Sequence, residues 1–278
     1  MIPTRKLGKT NYKATIFGLG GEGILRSSGH FKEAEAVIKK VVEMGVNYFD
    51  TAPAYQQSRD YLGKFLWMYA KREQIFLSSK THERSYEGTM SLVEDSLRRL
   101  NTKYLDLLQL HDLREKEDID EIFSKDGAIH AVEELRKEGK VRFVGITGHH
   151  DPNILIEAIE RYNFDTVLLC VNAGDSYHIP FISSVIPLAR KKGMGVIAMK
   201  VTAQGHALSS ISMEEAFNFS LSQDVDLAII GCKTPQEVEQ NASLARNFKL
   251  LSKEELLKIE NKTKNSIAEM NFFKKGMY

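Results

Sequence analysis

Residues 139–172 read GKVRFVGITGHHDPNILIEAIERYNFDTVLLCVN. An apolar run, VRFVGIT at 141–147, comes first. Asp151 and Pro152 then supply a helix N-cap and a first helical position. A second apolar run, DTVLLCVN at 165–172, closes the stretch. The whole is one strand–helix–strand unit of about 30 residues. Neither apolar run alternates strictly. Near-continuous Val, Ile, Leu and Phe marks parallel strands buried on both faces.

Outward from this stretch the same unit recurs. Candidate strands are ATIFGL at 14–19, VNYFD at 46–50, QIFLSSK at 74–80, YLDLLQLH at 104–111, MGVIAMK at 194–200 and VDLAIIG at 225–231. Amphipathic helical runs separate them. Ala36, Val37, Val41 and Met44 share one helical face, and Gly45 stops that run. Gly139 stops another. Ser212 with Glu215, Thr234 with Glu237, and Ser252 with Glu255 match capping-box spacing. Eight strand–helix units in one uninterrupted series favour an α/β fold of the closed (β/α)8 TIM-barrel type over an open doubly wound sheet. No linker divides the chain, so residues 1–278 are expected to form a single barrel domain. Residues 1–13, with Gly8-Lys9-Thr10-Asn11 as the turn, form a short N-terminal β-hairpin. The tail from 252 adds one extra C-terminal helix. The glycine cluster GLGGEG at 18–23 reads as a flexible loop or a ligand contact; it is not a spaced GxGxxG opening a helix.

Composition narrows the function classes. Hydrophobic residues make up 42% and charged residues 27%, which is ordinary for a folded chain. With 38 basic and 37 acidic residues the formal net charge is +1. No whole-surface field attracts nucleic acid or an anionic membrane. Cys170 and Cys232 each lie in an apolar run and are expected as buried free thiols. A reducing, cytoplasmic location follows. No apolar stretch approaches the length of a membrane span or a signal-peptide core.

In a barrel the chemistry sits at the C-terminal ends of the strands. Strand 46–50 ends in Asp50, strand 74–80 in Lys80, and strand 104–111 in His111. Tyr55 follows on the loop leaving Asp50. Singly, each has a plainer reading: a turn-capping acid, a solvated lysine, a structural histidine, a packing tyrosine. Together, on neighbouring strands, they make a proton-donor assembly. A free tyrosine has a pKa of about 10 and donates poorly near neutral pH. A nearby ammonium lowers that value, and a carboxylate beside the ammonium keeps it charged in a buried site. At the last strand, Gly231, Cys232, Lys233 and Thr234 lead into Pro235 and a helix start, an arrangement that suits an anion.

The chain resembles the aldo-keto reductases. The resemblance is carried by YFDTAPAYQQSRDYLG at 48–63, Lys80 and LQLHDL at 108–113. It continues through RKLGKT at 5–10, GKVRFVGIT at 139–147, PLARKKGMGVIAMK at 187–200 and IIGCKTPQEVEQNASLA at 229–245. It implies a barrel that binds NADP(H), or alternatively NAD(H), in extended form and reversibly reduces an aldehyde or ketone. Matched position by position, Tyr55 is the proton donor, Lys80 lowers its pKa, Asp50 pairs with Lys80, and His111 contacts the carbonyl oxygen. The same match assigns cofactor contacts to Asp50, Thr147, Gly148, Asn172, Lys200, Gly231, Lys233, Thr234, Glu237, Gln240 and Asn241. Thr147 and Gly148 replace the usual Ser-Asn pair that holds the nicotinamide amide, and Leu168 replaces a glutamine. Glu237 stands where many members carry an arginine for the 2′-phosphate, while Lys233 still attracts one.

Two other functions compete. One is a cofactor-binding regulatory barrel that acts through a partner. The other is a metal-dependent hydrolase using His82, His111, His149, His150 and Asp151, although the first strand offers no HxH pair. His149 and His150 otherwise line the substrate mouth or stand in solvent. Phe272, Phe273 and Tyr278 are expected to cover the core, with the pocket rim as the alternative. The partner expected is a small carbonyl compound, with no nucleic acid or membrane; oligomeric state is open.

Overall fold

The structure, a computed structural model, describes residues 1–277. The eight runs form a closed barrel of parallel strands, which settles the choice against an open sheet. An antiparallel hairpin of β1 (Thr4–Lys6) and β2 (Lys13–Thr15) precedes it. The barrel strands are β3 (Phe17–Gly23), β4 (Tyr48–Asp50), β5 (Phe76–Thr81), β6 (Leu105–Leu110), β7 (Val141–Gly148), β8 (Thr166–Cys170), β9 (Gly195–Met199) and β10 (Leu227–Cys232). Each strand pairs with its sequence neighbour, and β10 returns to β3.

The first strand departs from expectation. Ala14 and Thr15 belong to the hairpin, and the barrel strand runs on through Gly23. The glycine cluster expected as a loop is therefore strand. Pairing with β10, which reaches Cys232 opposite Gly23, outweighs the poor strand propensity of glycine.

Helices wrap the barrel: α1 (Phe31–Glu43), α2 (Ser58–Tyr69), α3 (Tyr86–Arg99), α4 (Lys116–Ile122), α5 (Ala128–Lys137), α6 (Pro152–Arg161), α7 (Val185–Lys191), α8 (Met213–Ser222) and α9 (Pro235–Arg246). The capping signals at Asp151, Ser212 and Ser252 are realised, each side chain accepting a backbone N–H of the first turn. The tail is not one helix but α10 (Lys253–Lys262), a 3-10 turn and α11 (Ile267–Met270). Thr263 breaks it: its buried hydroxyl bonds the carbonyls of Glu260 and Ala173, which ties the chain to the barrel. Both cysteines are buried free thiols, and burial pushes each up to about 12. Among the described residues no helix is long and apolar enough to cross a membrane.

Side chains alternate in and out along a strand, so every second residue fills the barrel. The lower inner layer is apolar: Tyr48, Phe76, Leu107, Leu168, Ile197 and Leu227 form one buried cluster. Two or four residues further along the same strands stand Asp50, Lys80 and Gln109. The same alternation that builds the core therefore delivers the site.

Candidate active site

The four strand-end groups meet in one chamber at the C-terminal mouth of the barrel. Its volume is about 440 Å³, and Asp50, Tyr55, Lys80 and His111 all line it. Asp50 and Lys80 form an ion pair with each side chain 1% exposed. Lys80 also donates to the Thr51 carbonyl at 3.0 Å. Its Nζ lies 4.9 Å from the centroid of the Tyr55 ring. The His111 ring stands edge-on to Tyr55, with centroids 6.0 Å apart.

Tyr55 sits on a tight turn between β4 and α2. Its N–H bonds the Ala52 carbonyl at 3.0 Å, and its own carbonyl accepts from Ser58 at 2.8 Å. Thr51 and Ser58 tie the turn together through their hydroxyls at 2.8 Å. Gly21 makes room for the ring, since a Cβ there would fall 2.5 Å from Tyr55 Cδ2.

Charge and burial set the protonation states. Burial raises Asp50 above the usual carboxylate range, and Lys80 opposes the rise. Burial alone would lower Lys80, but the Asp50 carboxylate and then the Tyr55 oxygen hold it above its ordinary value. At Tyr55 the expected lowering by Lys80 is present but outweighed. Burial raises its hydroxyl, and Lys80 offsets only part of that rise. The phenol therefore stays protonated at neutral pH, as a donor must. Burial, helped by the Lys80 charge, pushes His111 down to about 2, so its ring is neutral.

Gln109 is a contributor that strand-end reasoning missed. Its amide donates to Asp50 at 3.3 Å and to Ser78 at 2.9 Å, so it orients the carboxylate. A glutamine inside LLQLH is the signal that marks it. Arg26 also lines the chamber, its guanidinium 5.4 Å from the Tyr55 ring centroid.

A groove of about 670 Å³ continues from the chamber. The two share Glu22, Arg26, Lys200, Gln204, Ile229 and Gly231. Lys233, Glu237, Gln240 and Asn241 line the far end of the groove, and Thr147 lines the chamber. Thr234 caps α9, its hydroxyl accepting from Glu237 N–H at 3.2 Å. The Glu237 carboxylate accepts from the Lys233 backbone N–H at 2.7 Å rather than closing a capping box. Asn241 donates to the Cys232 sulfur at 3.4 Å.

Gly148 and Asn172 line neither cavity. A Cβ on Gly148 would meet Leu113 O at 2.9 Å and Leu155 at 3.0 Å, so that position faces the helix layer. Asn172 is fully buried, donating to Lys200 O at 3.2 Å and accepting from Gly174 N–H at 3.0 Å. Its role here is to brace the loops after β8 and β9.

His149 faces the chamber, while His150 bonds the Phe273 carbonyl at 3.4 Å. Among the described residues no three His, Cys, Asp or Glu groups are arranged to hold a metal ion. Phe272 and Phe273 line the chamber, so the tail forms its rim rather than a core cover. Tyr278 lies outside the described residues. A buried ion pair fixes the tail, with Lys274 Nζ 2.7 Å from Asp175.

The chain is similar in sequence and fold to known proteins. The chain is 30% identical to L-galactose dehydrogenase of Arabidopsis thaliana over 73% of its length and 66% of that protein's, just under two thirds. It is 27% identical to pyridoxal 4-dehydrogenase of Microbacterium luteolum, over 78% and 75% of the two chains. The holo form of an aldo-keto reductase from Bacillus halodurans superposes with a TM-score of 0.78 at 25% identity, covering 94% of this chain and 96% of that one. The sequence model of the Aldo/keto reductase family matches residues 16–221, a span holding the barrel strands from β3 to β9 and all four strand-end groups. With that match and the closed barrel, the chain belongs to the aldo/keto reductase family of oxidoreductases.

Proposed function

We propose that the chain is an NAD(P)H-dependent reductase that converts an aldehyde or ketone to an alcohol, reversibly. The observation that carries this reading is the assembly of Asp50, Tyr55, Lys80 and His111 in one chamber. When bound, a reduced nicotinamide supplies the hydride. Tyr55 donates its proton to the carbonyl oxygen as negative charge develops there. Lys80 lies beside the ring and stabilises the phenolate that remains. Asp50, oriented by Gln109, keeps Lys80 charged. His111, held neutral, donates an N–H to the same oxygen without adding a charge. In the reverse direction Tyr55 accepts the proton.

The donor set fits a dinucleotide. Chamber and groove form one trough from Tyr55 to the start of α9, whose N-terminal end favours phosphate oxygens once the Glu237 carboxylate gives up the Lys233 N–H. Lys200 stands at the junction and Lys233 at the far end. NADP(H) is the preferred cofactor and NAD(H) the second: Lys233 attracts a 2′-phosphate, and Glu237 limits the preference. The buried thiols suit a reducing, cytoplasmic setting. The substrate is a small carbonyl compound rather than a nucleic acid or membrane component.

Absorbance assays of NADPH and NADH oxidation against a panel of aldehydes, ketones and quinones test this. Replacing Tyr55→Phe is expected to lower kcat by about 10²–10⁴-fold, with cofactor binding retained in a fluorescence titration. An undiminished rate overturns the assignment.

A further inference from the structure

A working imidazole is usually oriented by a hydrogen bond on its second ring nitrogen. His111 has none: among the described residues nothing hydrogen-bonds its ring, which meets Tyr55 edge-on. Its hydrogen bonds are made by its backbone. The His111 N–H donates to the Thr81 carbonyl at 2.8 Å. Its carbonyl accepts from Arg84 Nη2 at 2.9 Å, and the same nitrogen reaches the Asp112 carbonyl at 3.3 Å. Asp112 has a left-handed backbone there, φ 55°. Such a conformation costs a non-glycine residue energy and persists only where neighbours enforce it.

Arg84 lies on the loop between β5 and α3 and is itself locked. Its Nε donates to Asp118 of α4 at 2.8 Å. The other Asp118 oxygen accepts from the N–H groups of Arg114 and Glu115, at 2.7 and 3.2 Å. Burial would raise Asp118, but those N–H groups and the guanidinium hold it below its ordinary value, so it stays charged. The Arg84 side chain is 12% exposed, and its Nη1 is buried with no acceptor among the described residues. An unpaired buried donor and an enforced left-handed turn both cost stability. Two such costs side by side, directly behind a chamber group, mark a place shaped for positioning rather than for stability.

We infer that Arg84, locked by Asp118, is a positioning residue that holds His111 at the carbonyl oxygen of the substrate. This role rests on the carbonyl-reductase reading of the chamber. Arg84 is not among the chamber-lining residues, so it acts through His111. Without the guanidinium the turn at Asp112 relaxes and the imidazole, tied by no side-chain bond, moves with it. A misplacement of about 1 Å costs on the order of 10²-fold in rate.

Arg84→Met is expected to lower kcat for aldehyde reduction by about 10–100-fold, with the Kd for cofactor unchanged. Arg84→Lys keeps the charge and can serve one carbonyl, so it recovers part of the loss. A double-mutant cycle with His111→Ala decides the role. Once His111 is gone, Arg84→Met is expected to cost less than about twofold. A merely structural defect costs the same factor in both backgrounds, and that result overturns the inference. An unchanged kcat in Arg84→Met, or in His111→Ala, overturns it too. Should Arg84→Met not fold, Arg84→Lys takes its place in the cycle. Nitrogen-15 spectra of the full chain give a readout that needs no turnover. The His111 ring resonances are expected to shift or broaden in Arg84→Met and to return toward their native positions in Arg84→Lys. Native resonances in both variants overturn the clamp. If the resonances respond to Arg84→Met while the native chain reduces no carbonyl, the clamp stands and the carbonyl-reductase reading fails.

Discussion

The two ends of the barrel are built from the same strands and differ in what their inner side chains do. At the N-terminal end Leu7 of the hairpin plugs the barrel above Tyr48, Phe76 and Leu107, all fully buried. Arg5 pins the plug by donating to the carbonyls of Leu221 at 2.9 Å and Val225 at 2.7 Å. The fit is close: a Cβ on Gly8 would fall 2.1 Å from the Gly195 nitrogen. The C-terminal end is hollow, charged and strained, with a buried ion pair at Asp50 and Lys80 and left-handed backbone at Gln56, Asp112 and Lys200. Apolar burial at one end supplies stability. The other end costs it, because charges leave water and hold unfavourable conformations. One scaffold thus separates stability from chemistry by about two residues of strand.

Breaking this contrast is most severe at Lys80. Lys80→Met leaves Asp50 buried without a counter-charge, a loss of about 3–5 kcal/mol. It also removes the ammonium beside the Tyr55 ring to which the proposed mechanism gives phenolate stabilisation. Rates are expected to fall by about 10²–10⁴-fold, and denaturant melts read the stability change. Phe76→Ala should act only at the plugged end. Its expected cost is about 3–5 kcal/mol, with KM for cofactor and carbonyl unchanged in protein kept folded. A shift in KM would show that the ends are coupled.

Smaller effects sharpen the comparison within the mouth. Glu237→Arg is expected to tighten NADPH relative to NADH by about tenfold, or roughly 1.4 kcal/mol. A ratio of dissociation constants that stays fixed would place the 2′-phosphate elsewhere. A separate effect concerns pH. Burial lowers His111 to about 2 and His149 to about 4 in the folded chain. Between those values and about 6.5 the unfolded chain binds more protons, so stability falls as pH falls through that window. Above about 6.5 the contribution is fully present. The melting temperature of His149→Phe should therefore fall less between pH 6.5 and 4 than that of the native chain.

Much of this architecture was readable along the chain. The apolar runs at 141–147 and 165–172 are local facts, and β7 and β8 occupy them closely. Asp50 closes β4, Lys80 is the last residue but one of β5 and His111 immediately follows β6, so a barrel rule placed them in one mouth. The caps at Asp151, Ser212 and Ser252 depend on residues three apart or fewer, and they formed as read. Other features resisted. Gly20 to Gly23 looked like a loop because glycine lacks strand propensity, yet pairing across the barrel seam made them strand. Gly148 and Asn172 were matched to cofactor contacts through the family resemblance, but a Cβ on Gly148 would face a helix and Asn172 braces two loops.

Local patterning along the chain was enough to lay out the barrel and to bring Asp50, Tyr55, Lys80 and His111 to its C-terminal mouth. These follow from short-range patterning: apolar periodicity, strand-terminal charges and helix caps. The balance of forces on those groups came from their packing in the folded chain. Burial outweighs the Lys80 charge at Tyr55, and Arg84 forces Asp112 into the turn that brings its carboxylate beside His149. Phe272 and Phe273 reach the rim because Lys274 is locked onto Asp175 nearly a hundred residues away in sequence. Such outcomes depend on desolvation and on contacts between distant segments, and neither is encoded in any local stretch of residues.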